Sequence, residues 1–175
     1  MAKIKELVIP FSGMNEGSYS FRMKLDDKFF ESLEFSEIKK GEIDVEVEMD
    51  RRQHLLTLEI TIHGNVEQEC YRCGNLFRQE IESEPTMVVN LNAERFEDED
   101  DLISLPASYN ELDLTQYLYE YISLAIPAKL VCPPDPGCDP EVINKLEQLK
   151  PGEDANDKNS IDPRWDALKN LKNNN

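Results

Sequence analysis

The sequence has few of the residues and motifs that most catalytic sites use. It has only two histidines, His54 and His63, and it shows no Gly-rich phosphate loop, nucleophile elbow or His-Glu metalloprotease motif. Both histidines fall in or beside strand-like patterns, where a solvent-facing histidine needs no special role. These absences favour a protein without catalytic activity. An enzyme built on carboxylates from distant positions stays an alternative.

Long apolar runs are also missing. No stretch approaches the roughly 20 apolar residues of a membrane span, and the first residues, Met1–Phe11, have no apolar run of signal-peptide length. We therefore expect a soluble cytoplasmic protein, in which thiols stay reduced. No membrane partner and no small-molecule substrate is indicated.

Positive charge is scarce: the chain has 19 Lys and Arg against 36 Asp and Glu, and its net charge is −17 at pH 7. Proteins that bind phosphate backbones without sequence preference normally carry a positive surface. The charge therefore disfavours RNA binding driven by the overall charge. It suits docking to a basic partner, a class that includes ribosomal proteins.

The first half of the chain shows strand-like alternation of apolar and polar residues. Apolar residues occupy alternate positions in 19–25, 43–49 and 56–62, which is typical of half-buried strands. Gly64-Asn65 is a turn signal, and three further strands are predicted at Val66–Cys70, Leu76–Glu82 and Thr86–Leu91. Residues 94–101 carry six acids and predict a solvated loop. The pattern favours an antiparallel β-sheet or small barrel.

Helical patterns follow the strands. Asp113 is a predicted N-cap, and the apolar residues after it share one helical face of a main helix that Pro127 ends. Pro140–Leu149 predicts a short helix with proline at its first position. That face consists of Leu114, Tyr117, Leu118, Tyr121, Ile122 and Ala125.

The last residues differ in composition from the rest. We expect residues 1–149 to form a single α+β domain, and residues 150–175 to form a linker and a C-terminal tail with a short amphipathic helix. In that tail Trp165, Leu168 and Leu171 fall at i, i+3 and i+6. This stripe can fold back on the domain or bind a partner. We predict partner binding, since a tryptophan on a polar tether is a typical interface anchor.

The four cysteines fall into two pairs. Cys70 and Cys73 form a C-x2-C turn followed by Gly74, and Cys132 and Cys138 lie 58 residues further on in a Pro/Gly-bent segment. Four thiolates at about 2.3 Å give a closed tetrahedral zinc shell, which leaves no position for a water molecule. The sequence therefore predicts a structural zinc site that clasps the sheet to the segment after the main helix.

Three other interpretations of the cysteines remain open. The four residues can be unrelated cysteines, two disulfides, or a redox-active C-x-x-C of a thiol-based sensor. The last motif normally opens a helix, whereas the flanks of Cys70 and Cys73 have strand-like patterns.

The segment VEQECYRCGNLFRQEI resembles the YceD-like family, the large ribosomal RNA subunit accumulation proteins. Two further features agree: a helix from Asp113-Leu114 to Ile126-Pro127 before the second cysteine pair, and a terminal segment that begins with Asp162-Pro163-Arg164-Trp165. The resemblance covers about residues 40–172. It implies a bacterial ribosome-biogenesis factor that supports accumulation or processing of the 23S ribosomal RNA precursor.

Two models of its action follow. In the first, the protein is an adaptor that binds a basic ribosomal protein or an assembly factor. In the second, a small basic patch touches precursor ribosomal RNA beside the metal turn. The candidate RNA-contact residues are Arg51, Arg52, Arg72 and Arg78, and these arginines can equally be solvated strand residues.

Overall fold

The computed structural model describes residues 5–94, 96–99, 102–133 and 137–150. The fold is α+β, with one large sheet, a small two-stranded sheet and few helices. A 3-10 turn lies at Lys5–Leu7. In chain order the elements are β1 (Val8–Ile9), β2 (Gly17–Leu25), α1 (Asp27–Glu31), β3 (Gly41–Arg52), β4 (Leu55–Glu69), β5 (Leu76–Ser83), β6 (Thr86–Ala93), β7 (Glu97–Glu99), β8 (Leu102–Pro106), β9 (Leu112–Asp113), α2 (Thr115–Ala125) and α3 (Pro140–Gln148).

The long strand β4 is the centre of the large sheet. Along one edge it pairs with β3, from Arg52↔Leu55 to Gly41↔Val66. Along its other edge lie β6 and then β5, both antiparallel to it. The pairs Glu59↔Thr86 and Ile62↔Ser83 keep one register, so β5 and β6 form a single hairpin arm that is interrupted at Pro85. The carbonyl of Pro85 accepts from the backbone N–H of Ile60 at 3.0 Å.

Alternation along these strands builds the core, as the sequence predicts. Every second residue faces inward, and each of the inward side chains of β3 and of the first part of β4 is at most 2% exposed. The predicted main helix packs against β5, and Leu114, Leu118 and Ile122 are fully buried in the same core. The inward strand residues are Ile43, Val45, Val47, Met49, Leu56, Leu58, Ile60 and Ile62.

The sheet differs from the prediction in its pairing. Beyond the antiparallel strands, β8 pairs with β6 in parallel, so the sheet is mixed. Its strand order is β2-β3-β4-β6-β8-β7, with β5 also paired to β4. In the described residues β2 and β7 are the two edge strands and do not pair with each other, so the sheet is open and does not form the small barrel that the sequence left as an alternative. The predicted acidic loop 94–101 contains β7, which pairs with β8.

The predicted turn at Gly64-Asn65 is wrong, because β4 continues through it to Glu69. Gly64 pairs with Ile43, and the two backbones approach closely there. A Cβ on Gly64 would lie 2.2 Å from the carbonyl oxygen of Glu42 and 2.8 Å from the Cα of Ile43. Glycine is therefore present at this position for a close backbone contact inside a strand and not for a turn.

Replacing Gly64 with alanine tests this contact. We expect Gly64→Ala to lower the free energy of unfolding by about 2 kcal/mol more than Gly17→Ala, because only the first forces backbone atoms apart. The two glycines have similar φ values, +159° and +148°, but a Cβ on Gly17 meets no atom within 4 Å. Denaturant unfolding of both variants measures the difference, and equal losses would contradict the steric explanation.

Candidate metal centre

The first cysteine pair lies at the tip of the hairpin formed by β4 and β5, as predicted. Cys70 follows β4 at a position that continues the inward alternation of Val66, and it is buried. The backbone N–H of Gly74 donates to the carbonyl of Cys70, and the N–H of Cys70 donates to the carbonyl of Asn75, both at 2.9 Å. Gly74 has a φ of +75°, the left-handed conformation that such a tight turn requires and that glycine adopts most readily.

The second pair reaches the hairpin tip from the segment that follows α2. The backbone N–H of Tyr71 donates to the carbonyl of Leu130 at 2.9 Å, which fixes the two segments beside each other. Cys132 lies two residues after Leu130. Cys138 lies just before α3, whose N-cap Asp139 accepts a hydrogen bond from the N–H of Glu141. Gly137 has a φ of +80°, so the chain turns sharply next to Cys138.

The structure thus brings together all four predicted cysteines. Their sulfur atoms lie within 4.8 Å of one another. The Sγ atoms of Cys70 and Cys138 are 3.7 Å apart, and those of Cys73 and Cys132 are 3.6 Å apart. A tetrahedral ion with metal–sulfur bonds of about 2.3 Å requires sulfur–sulfur distances near ~3.8 Å. The cluster can therefore hold a metal ion.

Backbone amides make one of the four thiols acidic. The N–H of Cys132 donates to the Sγ of Cys70 at 3.3 Å, and the N–H of Arg72 does so at 3.5 Å. Burial opposes the ionisation of Cys70, but hydrogen bonds from the backbones of Cys132, Cys73 and Arg72 outweigh it and lower the pKa of Cys70 to about 6. Near neutral pH this sulfur is thus mostly the thiolate that metals bind.

The pKa values of the second pair, Cys132 and Cys138, shift in the opposite direction. Burial raises the pKa of Cys132 to about 12, and hydrogen bonds with the thiols of Cys70 and Cys73 add to the rise. The pKa of Cys138 is raised as well, first by burial. A metal that enters the cluster must displace protons from these two sulfurs.

The other predicted site residues fall into three groups. Arg51 and Arg52 lie at the end of β3, where Arg51 donates to the carbonyl of Phe11 and Arg52 pairs with Asp50 at 2.7 Å. Arg72 lies in the metal turn and Arg78 on β5, both exposed. The tail residues Trp165, Leu168 and Leu171 lie outside the described residues, so their role stays a prediction.

The four arginines do not form one patch. In the strand register, Arg51 lies opposite Leu56 of β4 and Arg78 lies opposite Glu67 of β4. Leu56 and Glu67 are eleven positions apart. At about 3.3 Å per residue, the two arginine pairs lie at opposite ends of a strand more than about 30 Å long. Any contact of the metal turn with RNA would therefore use Arg72 and Arg78 without the other two.

Sequence reasoning missed the backbone atoms that complete the site. The carbonyl of Leu130 and the N–H of Cys132 carry no side-chain signal, because any residue type supplies them. Both histidines are exposed, and neither belongs to the metal-ligand cluster found in the described residues. None of the helices in that part of the chain is long and apolar enough to cross a membrane.

The fold and the cluster together define a small α+β protein built around four cysteines that can hold a metal ion. The chain belongs to the family of the large ribosomal RNA subunit accumulation protein YceD, whose model matches residues 58–172. The matched range includes both cysteine pairs, β4 from Leu58 onward, β5 to β9, and all of α2 and α3. No curated protein and no solved structure matches the chain significantly.

Removing one sulfur tests the metal centre. We expect Cys132→Ser to weaken metal binding by more than the roughly 10- to 100-fold that loss of an outer-shell partner costs, because a tetrahedral site loses one of four ligands. Arg72→Ala is the matched control, since it keeps the backbone N–H that Cys70 accepts. Elemental analysis and thiol titration before and after a chelator measure the effect. Four thiols that react fully without a chelator would argue against a metal site.

Metal binding should also depend on pH. Cys132 and Cys138 hold their protons at neutral pH in the metal-free cluster, so protons compete with the metal at these sulfurs. We expect apparent affinity to fall from pH 8 to pH 6, by roughly tenfold per pH unit for each proton displaced. Competition with a chelator of known proton affinity measures the slope. A pH-independent affinity would show that the thiols are not the ligands.

Proposed function

We propose that the protein is a non-catalytic factor that supports the accumulation or processing of 23S ribosomal RNA in the bacterial cytoplasm, with one structural zinc ion. The observation that carries the proposal is the family match over residues 58–172. The name of that family describes accumulation of the large ribosomal RNA subunit. The match covers the whole cysteine cluster, so the cluster belongs to the part of the chain that the family defines.

The donor set favours zinc in a structural role. Four sulfur ligands suit zinc, and a shell closed by four protein ligands leaves no open position for a substrate or for an activated water. The ion would join the β4–β5 hairpin tip to the segment between α2 and α3. Because 58 residues separate the two pairs, the ion would also restrict the unfolded chain, as a cross-link does.

The solvent-facing carboxylates of β3 also support a non-catalytic role, because they lie in a row along the strand. The acids of β3 that face solvent are arranged along one strand and partly neutralised: Asp44 pairs with Lys24 at 3.0 Å and Glu46 with Arg22 at 2.9 Å. These are ordinary exposed ion pairs. An RNA-processing enzyme would need carboxylates or histidines that converge on one substrate, which is the alternative that the experiment below separates.

The charge distribution favours a basic protein as the partner. Every second residue of β3 from Glu42 to Asp50 is an acid, and alternation places these acids on the outer face of the sheet. Glu48 lies directly opposite Glu59 of β4, which concentrates negative charge there. Although Asp44, Glu46 and Asp50 form ion pairs with Lys24, Arg22 and Arg52, acids outnumber bases on this face. Its net negative charge repels RNA phosphates and attracts lysine and arginine side chains. A ribosomal protein or a basic assembly factor therefore fits better than RNA alone.

Depletion of the protein in a bacterium tests the proposed function. We expect mature 23S ribosomal RNA to fall and its precursor to rise at least about twofold, while the 16S species change less. Expression of Arg52→Ala in the depleted cells should restore normal levels of these RNAs. Expression of Cys132→Ser should not, because the metal would no longer stabilise the fold. Quantification of precursor and mature RNA measures the effect. Unchanged 23S species after depletion would count decisively against the proposal.

An assay with purified components distinguishes a non-catalytic factor from an RNA-processing enzyme. The metal-loaded protein is incubated with 23S precursor RNA, and we expect no cleavage above the level of a blank. Cleavage that a single acid-to-amide substitution abolishes would identify an RNA-processing enzyme instead. A thiol-based sensor would be indicated if mild oxidation, and not depletion, changed the RNA levels.

A further inference from the structure

The helix α3 leaves the C-terminal half of its apolar face exposed, whereas Val142 and Ile143 are half-buried. None of its residues is buried. Val142, Ile143, Leu146 and Leu149 follow the spacing of one helical face, and Leu146 and Leu149 are 43% and 79% exposed. A surface helix of a folded domain normally packs this face against a neighbour, whereas Leu146 and Leu149 stay largely exposed within the described residues.

A helix of this kind needs a partner to be stable. α3 has nine residues, and isolated helices of that length are marginal in water. Its N-terminal end is well anchored: Asp139 caps it with a hydrogen bond of 2.9 Å to the N–H of Glu141, and Cys138 ties the chain to the cysteine cluster. Leu146 and Leu149, at the other end of the helix, are the least packed part of its apolar face.

The sequence of the tail predicts a second apolar stripe. Trp165, Leu168 and Leu171 lie on one face of the helix that the sequence predicts in the tail. Asp162-Pro163 opens that segment as Asp139-Pro140 opens α3, with an N-cap followed by proline at the first helical position. The sequence of the tail therefore predicts a short amphipathic helix that begins as α3 does, and a helix of that length would be stabilised by packing against a partner.

The connection between the two stripes has a suitable length. Residues 150–161 can span up to about 40 Å when extended. Packed helices need only about 8–10 Å between their axes, and α3 is about 13 Å long. The linker thus allows an antiparallel return without strain. A tether of this length holds the tail near α3 at an effective concentration in the millimolar range.

From these observations we propose that the C-terminal segment packs on α3 in the free protein, with Trp165, Leu168 and Leu171 covering Val142, Ile143, Leu146 and Leu149 to form a helical hairpin. The hairpin would extend directly from the cysteine cluster through Cys138. Of the two alternatives for the tail, this proposal adopts folding back on the domain for the isolated chain, in place of binding to a separate partner. It does not depend on the proposed role in RNA accumulation.

Fluorescence of Trp165 tests this packing, because it is the only tryptophan in the chain. The experiment uses the full-length, metal-loaded protein and the variants Leu146→Ser and Leu149→Ser. Leu55→Ser is the matched control: Leu55 is 45% exposed, against 43% for Leu146, and it lies at the far end of β4. Metal content and far-UV circular dichroism verify that each variant is folded.

We expect a blue-shifted emission in the parent protein and an acrylamide quenching constant at least about twofold lower than in Leu146→Ser and Leu149→Ser. Leu55→Ser should match the parent. A solvent-exposed tryptophan in the parent overturns the proposal, as does a protected tryptophan that neither α3 variant exposes. Protection that disappears on dilution would assign the contact to a second copy of the chain and also overturn it.

Hydrogen exchange gives an independent measurement. If the tail covers α3, Trp165→Ala should increase the exchange rates of the α3 amides about tenfold or more, because the short helix loses its partner. The amides of β4 should be unchanged. Equal exchange of α3 in both proteins would contradict the hairpin.

Discussion

The pairing of β4 on both of its edges is the constraint on which the rest of the structure depends. Its 15 residues keep one register with β3 on one side and with β5 and β6 on the other. A slip by one residue would turn every inward side chain outward. The same alternation that buries Leu56 and Val66 ends at Cys70, so the register of the sheet also places the first metal ligand candidate at the hairpin tip.

The cysteine cluster extends this order to the far part of the chain. The Tyr71–Leu130 hydrogen bond and the four clustered sulfurs join the segment after α2 to the hairpin tip. The amides that surround Cys70 favour its thiolate, whereas Cys132 and Cys138 hold their protons. One ligand of the cluster is thus already ionised before a metal binds, and the free energy of metal binding would drive the ionisation of Cys132 and Cys138.

The acidic surface and the uncovered helix point to two different kinds of contact. The outer face of β3 offers an ordered row of carboxylates, which suits long-range attraction of a basic partner. α3 offers a short apolar stripe, which suits close packing with a helix of limited size. These two surfaces are separate in the described structure, because the acids lie along the sheet and α3 extends from the cysteine cluster.

The sequence by itself determined the local features of this protein. Alternation identified the inward residues of β2, β3 and β4, the helical spacing identified the buried face of α2, and the cysteine spacing with Gly74 identified the turn, because each depends on neighbours within a few positions. Only the tertiary structure decided that β4 runs through Gly64, that β8 lies parallel to β6, and that the arginines split between two ends of β4. These outcomes depend on backbone pairing between distant segments, and the backbone atoms that pair are the same in every residue.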